Sequence, residues 1–141
     1  MGFYFSIIII ILCIVLSLRE LFIPDKIKGK KMSVENFFIL AIIYATVMIG
    51  FGLIYFLLGS EGHPVLIEGE YTKSTSTNAA ISTIAKLETC IYFSAVTLFS
   101  VGYGDLAPVG VGRFIVVLEA LVGYTIPTAF VARTVFDRKM E

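Results

Sequence analysis

Within the 141-residue sequence, Ser100-Val101-Gly102-Tyr103-Gly104-Asp105 is the segment whose residue types and spacing could do chemistry. A potassium ion that enters a narrow pore must give up water, and oxygens at similar distances must replace it. Successive backbone carbonyls can do this if they all point at one axis. Such a backbone alternates conformations, some of them closed to most side chains, so glycine is needed at every second position. Gly102 and Gly104 have that spacing. Ser100 could add a hydroxyl oxygen at one end of the segment. Val101 and Tyr103 would point away from the axis and pack behind it as a cuff, and Asp105 would cap the outer mouth with negative charge. The candidate ion-binding residues are thus Ser100, Val101, Gly102, Tyr103 and Gly104, with K+ held at Ser100, Val101, Gly102 and Tyr103. One chain supplies one strand and cannot close a ring. Four chains about a fourfold axis can, so a homotetramer is expected.

Non-helical backbone at membrane depth is tolerated only where protein buries it or it lines a watery path. The flanking sequence must therefore supply a scaffold. Residues Leu87 to Phe99 form an apolar run too short to span, which reads as a re-entrant pore helix. Its C-terminal end, the negative end of the helix dipole, would face the ion path. Phe37 to Leu58 carries no charge and is long enough to cross a bilayer. Val111 to Phe136 is a further apolar run, with Arg113 and Glu119 near its start and Arg133 near its end. Gly50 and Gly52 could let a neighbouring helix approach closely, or could be ordinary membrane-helix glycines. Residues 1–23 read as an additional N-terminal transmembrane helix, without the basic start and small-residue cleavage site of a signal peptide. The expected organisation is an all-α membrane protein. It has the N-terminal helix 1–23, a basic linker 24–36 and a pore domain 37–136, which comprises outer helix 37–58, loop 59–86, pore helix 87–99, filter 100–105 and inner helix 111–136. A tail, 137–141, follows.

Charge placement gives an orientation. Lys26, Lys28, Lys30 and Lys31 lie between the first two runs, and Arg133, Arg138 and Lys139 close the last. The loop 59–86 holds only Lys73 and Lys86, among Glu61, Glu68, Glu70 and the adjoining Glu88. The basic segments should be cytoplasmic and the loop external, which puts the N-terminus outside and the C-terminus inside the cell membrane.

Composition excludes other classes. Hydrophobic residues make up 57% and charged residues 16%, against roughly half and a quarter in soluble domains, so the lipid bilayer is part of the solvent. Lys+Arg and Asp+Glu are 11 each, and no global field points to nucleic acid. Cys13 and Cys90 fit no metal motif, and both are expected to be buried small hydrophobes without a disulfide. No nucleophile–base or metal constellation suggests an enzyme or a small-molecule substrate. The lone His63 lies in the polar loop and is expected to be solvated.

The run Val96-Thr97-Leu98-Phe99-Ser100-Val101-Gly102-Tyr103-Gly104-Asp105-Leu106-Ala107-Pro108 resembles the pore loop of the potassium channel superfamily. The plan over Phe37 to Phe136 resembles the prokaryotic two-transmembrane channels, with the N-terminal helix outside that pattern. The resemblance implies a potassium-selective channel with K+ as its permeant ion. Thr97 would support the filter. Tyr92 would reach Asp105, as aromatic residues at that position do in relatives. Leu118-Glu119-Ala120-Leu121-Val122-Gly123 is similar to the inner helix of bacterial inward-rectifier-like channels, where the Glu sits behind the filter and the Gly is a hinge. There are departures. Ser100 and Phe99 stand where the family usually has Thr, and Val96 stands where some members carry a Glu that pairs with the filter Asp.

Pro127, four residues after Gly123, removes a helix hydrogen bond inside an apolar run, so a kink is expected. Gly123 and Pro127 form a candidate gating hinge, with Val131 and Val135 as a candidate constriction below it. Glu119 could pair with Arg113, fill a buried hydrogen-bonding role, or support cations near the filter electrostatically. Two alternatives to a potassium channel are a weakly selective cation channel of the same fold and a non-conducting assembly subunit. No helix carries regularly spaced arginines, so no voltage sensor is expected. With Glu141 soon after the inner helix, no cytoplasmic ligand-binding domain is expected.

Overall fold

The computed structural model of the chain describes residues 2–22, 34–62, 65–68 and 79–137. Lys26, Lys28, Lys30, Lys31, His63, the stretch Ser74 to Thr77 and the tail residues 138–141 lie outside the described residues, as do the side chains of Arg133 and Val135. The described residues form four helices, α1 (Gly2–Phe22), α2 (Val34–Ser60), α3 (Ala79–Leu98) and α4 (Gly112–Asp137), and two short strands, β1 (Leu66–Glu68) and β2 (Leu106–Pro108).

Three of the helices, α1, α2 and α4, are long and apolar enough to cross a membrane, over Gly2–Arg19, Phe37–Ser60 and Gly112–Ala132. Their backbones satisfy their own hydrogen bonds, which lipid demands. The chain is an all-α membrane protein. Its core is the seam where α2 meets the other helices: Ile43, Val47, Phe51, Ile54 and Tyr55 of α2 pack with Cys90, Phe93 and Leu98 of α3 and Ile126 of α4. Two glycines set this packing. A Cβ on Gly52 would come within 3.0 Å of Ile91 Cα, and one on Gly50 within 2.7 Å of Ile14 Cδ1. Gly52 thus admits α3 and Gly50 admits α1, so both are close-approach glycines.

Two departures from the sequence reading concern the loop 59–86. Its last part is helical: α3 begins at Ala79 rather than Leu87. Ser82, Thr83 and the exposed Lys86 interrupt this first part, so it forms no continuous apolar run. The loop also holds β1, antiparallel to β2 with Leu66 opposite Pro108 and Glu68 opposite Leu106. Val109 N–H donates to Val65 carbonyl oxygen at 2.9 Å and extends the ladder. The segment leaving Asp105 needs partners for its backbone groups, and the apolar run Val65-Leu66-Ile67 provides them.

Cys13 and Cys90 form no disulfide, and Cys90 is buried. Cys13 is exposed, contrary to expectation. The helix α1 packs one face on α2, with Ile14 buried, and leaves Ile8, Leu12, Val15 and Leu16 exposed. In a membrane helix that outer face meets lipid, so an exposed thiol there is no anomaly.

Candidate ion-conduction site

The helix α3 ends in a C-cap that launches the filter segment. Ser100 N–H donates to Thr97 carbonyl oxygen at 3.0 Å, and Val101 N–H donates to Val96 carbonyl oxygen at 2.9 Å. These are the two bonds of a Schellman motif, which needs a left-handed residue at the position after the cap. That residue is Ser100, with φ of 57°, the one non-glycine residue with positive φ among the described residues. Thr97 takes part in this cap through its carbonyl oxygen. Gly102 follows with φ of 61° and Gly104 with φ of 78°. Left-handed backbone therefore recurs at three alternate positions, 100, 102 and 104. Backbone of this alternating kind can turn successive carbonyls to one side of a strand. A Cβ on Gly102 or Gly104 would meet nothing within 4 Å in the chain. Within the chain, what favours glycine there is the left-handed backbone.

The flanks of this strand are exposed in the single chain: Val101 at 51% and Tyr103 at 71%. At its far end Tyr92 Oη donates to Asp105 Oδ2 at 2.9 Å. This bond holds the Tyr92 phenol above its usual range, because ionisation would place a phenolate against the carboxylate. The side chain of α3 thereby ties the start of the exit segment to the helix that precedes the filter.

Glu119 of α4 is fully buried, at 0% exposure. Tyr55 Oη of α2 donates to its Oε2 at 2.8 Å, and Ser94 of α3 hydrogen-bonds its Oε1. Ser94 Oγ also lies 2.8 Å from Met48 carbonyl oxygen. A hydroxyl has one proton, so Ser94 divides it between these two oxygens. Glu119 is thus the node that joins α2, α3 and α4. Its pairing with Arg113, weighed from sequence, does not form: Arg113 Nε donates instead to Pro108 carbonyl oxygen at 3.2 Å.

Gly123 and Pro127 lie within α4, which continues through both as helix. Gly123 is buried, and a Cβ on it would run into Leu98 carbonyl oxygen at the end of α3. The absent side chain lets the end of α3 abut α4. Around Pro127, Thr125 Oγ1 donates to Leu121 carbonyl oxygen at 2.7 Å and Thr128 Oγ1 to Tyr124 carbonyl oxygen at 2.8 Å. Such back-bonding loosens a helix and favours bending. Val131 is 59% exposed. It lies on the α4 face with Phe114, Val117, Leu121 and Tyr124, all exposed, while the side chain of Val135 is outside the described residues.

Sequence reasoning missed Tyr44, Tyr55 and Ser94. The two tyrosines carried a signal. They are three helical turns apart on one face of an otherwise apolar spanning helix, and a phenol there needs a partner. Tyr44 Oη donates to Gly123 carbonyl oxygen at 3.0 Å, and its ring stacks on Phe99, with centroids 5.2 Å apart.

Comparison with known proteins agrees with this arrangement. No solved structure matches the chain. Protein LctB of Geobacillus stearothermophilus is 44% identical over 107 residues, covering 76% of this chain and 75% of that protein. Protein LctB of Bacillus caldotenax is 43% identical over 107 residues, with the same coverage. The profile of the Ion channel family matches residues 43–136, which takes in most of α2, all of α3 and the filter segment, and α4 through Phe136. With helices long and apolar enough to span a membrane on either side of α3 and the segment after it, and a match over more than half its length, this integral membrane protein belongs to the Ion channel family.

Proposed function

We propose that the chain is one subunit of a homotetrameric potassium-selective channel that conducts K+ passively across the cell membrane. The observation that carries this reading is the left-handed backbone at Ser100, Gly102 and Gly104, set at the C-terminal end of α3. Carbonyls turned one way by that alternation suit a dehydrated K+, which Ser100, Val101, Gly102 and Tyr103 would ligate in a ring of four strands. The end of α3 adds the negative end of a helix dipole, and Asp105, held by Tyr92, adds charge at the mouth.

Fourfold assembly is supported by what a single chain leaves uncovered. The filter flanks Val101 and Tyr103 and the α4 face of Phe114, Val117, Leu121, Tyr124 and Val131 are exposed apolar surface. Three neighbouring copies would cover the flanks and turn part of the α4 face to a central cavity. The charge asymmetry supports an external 59–86 segment, an external N-terminus and a cytoplasmic C-terminus. Gly123 and Pro127 would then bend the cytoplasmic half of α4, with Val131 and Val135 as the apolar constriction that dewets when the helices converge.

The test is bi-ionic reversal potential of purified protein in planar bilayers. The expected result is a strong preference for potassium over sodium. Equal permeability would make the chain a weakly selective cation channel, and no flux in liposomes would make it a non-conducting subunit.

A further inference from the structure

Pro127 has no N–H, so it cannot bond the carbonyl of Gly123 four residues earlier, and its ring pushes that carbonyl outward. In an intact helix this oxygen would already be occupied. Here it receives the phenol of Tyr44 from α2, at 3.0 Å. The same tyrosine ring lies nearly parallel to Phe99, at 14° between planes. Phe99 is the capping residue immediately before Ser100, where the filter begins.

We infer that Tyr44 is the positioning residue of α4 at its proline break: its hydroxyl supplies the hydrogen bond that Pro127 withholds from Gly123, and its ring carries the position of Gly123 to Phe99 beneath the filter. The inference rests on the reading of α4 as the pore-lining helix of a channel. Three features favour it over a phenol that takes any available acceptor. The acceptor is the one α4 carbonyl that Pro127 deprives of its helix partner. A carbonyl at a helix interface left without a donor is costly, and the Tyr44 hydroxyl meets that need where Pro127 cannot. The bond also spans two different spanning helices, so any swing of the lower part of α4 about Gly123 must either break it or drag α2 and the Phe99 ring along. Two arrangements, bonded and released, therefore differ in how the end of α3 is held.

A double-mutant cycle tests this. Tyr44→Phe keeps the ring on Phe99 and removes the hydroxyl. Pro127→Ala restores an N–H to the Gly123 carbonyl, and the hydroxyl then becomes redundant. In single-channel recordings Tyr44→Phe should change the open-to-closed ratio by about two- to tenfold in the wild-type background, the range of one net hydrogen bond. In the Pro127→Ala background it should change that ratio less than about twofold. The same cycle read by thermal melting of the detergent-solubilised assembly needs no conduction. Tyr44→Phe should lower the melting temperature with Pro127 present and leave it unchanged in the Pro127→Ala background. Absence of any current would count against the channel reading alone, because the melting cycle still measures the pairing. An equal effect of Tyr44→Phe in both backgrounds, or no effect with Pro127 present, would overturn the inference.

Discussion

Replacing Gly102 with L-alanine isolates the conformational demand of the filter from steric crowding. The φ at Gly102 is 61°, and a Cβ there would meet nothing within 4 Å in one protomer. The cost within a chain is therefore that of a left-handed L-residue, about 1–2 kcal/mol. In a tetramer all four strands carry it, for about 4–8 kcal/mol against the conducting geometry. At roughly 1.4 kcal/mol per factor of ten, the population of that geometry should fall by about a thousandfold or more. The assay compares potassium-over-sodium reversal potentials of wild type, Gly102→Ala and a semisynthetic protein with D-alanine at 102, alongside native mass measurement of assembly. L-Alanine should abolish selective conduction while the protein still inserts. D-Alanine reaches positive φ without that strain and should retain a substantial part of it. If the L-variant keeps full selectivity, or if the two enantiomers are equally damaging, backbone handedness is not the reason for glycine at this position.

Other perturbations have equally definite outcomes. Tyr55→Phe leaves one oxygen of buried Glu119 without its donor and should cost about 1–3 kcal/mol, read as a lower melting temperature, whereas Glu119→Ala should remove the shared partner of Tyr55 and Ser94 and lower it further. Gly123→Ala should destabilise the assembly, because its Cβ runs into Leu98 carbonyl oxygen, while Pro127→Ala should not; comparable melting curves for the two would reject the packing role of Gly123. The Tyr92–Asp105 bond raises the phenol above its ordinary value of 10.0, so its contribution should persist at neutral pH and be lost only as pH rises through the raised value. An alkaline loss of function that Tyr92→Phe leaves unchanged would exclude this pair as its source. A membrane-impermeant thiol reagent should label cysteine introduced at Ser76 and spare one at Lys30; the reverse pattern would invert the proposed orientation.

The parts of this molecule that were legible in its sequence are those set by local rules. The spacing of Gly102 and Gly104 is a backbone requirement that can be read from two residues, and Ser100 joins them in the left-handed series. The spanning helices α1, α2 and α4 were visible as apolar runs because lipid allows little else. The start of α3 was not visible, since Ser82, Thr83 and Lys86 break its first part into apolar pieces too short to read as a helix. The strand β1 was not visible either, because three residues become a strand only when β2 offers a partner. The Glu119 site was half legible. A carboxylate in an apolar helix announces a buried role, but its donors Tyr55 and Ser94 come from two other helices that meet only in the folded chain. For the same reason Gly123 could be read as a flexible point but not as the place where the end of α3 touches α4.

That contact bears on where a gate could act. A hinge in the inner helix is usually imagined as remote from the filter, so that the lower helix swings while the upper structure stays still. Here the carbonyl of Leu98 lies against Gly123, and Leu98 is the last residue of α3 before the cap at Phe99 and Ser100. Tyr44 bridges the same two places, bonded to Gly123 and stacked on Phe99. On the proposed reading, rotation about Gly123 would therefore move atoms that pack against Leu98 and Phe99, at the base of the filter. Close-packed interiors respond to such displacement by switching between discrete arrangements rather than by deforming smoothly. On the proposed reading, the Gly123–Pro127 hinge and the ion site at Ser100 would then form one mechanical unit, and a substitution confined to Tyr44 should alter the two together.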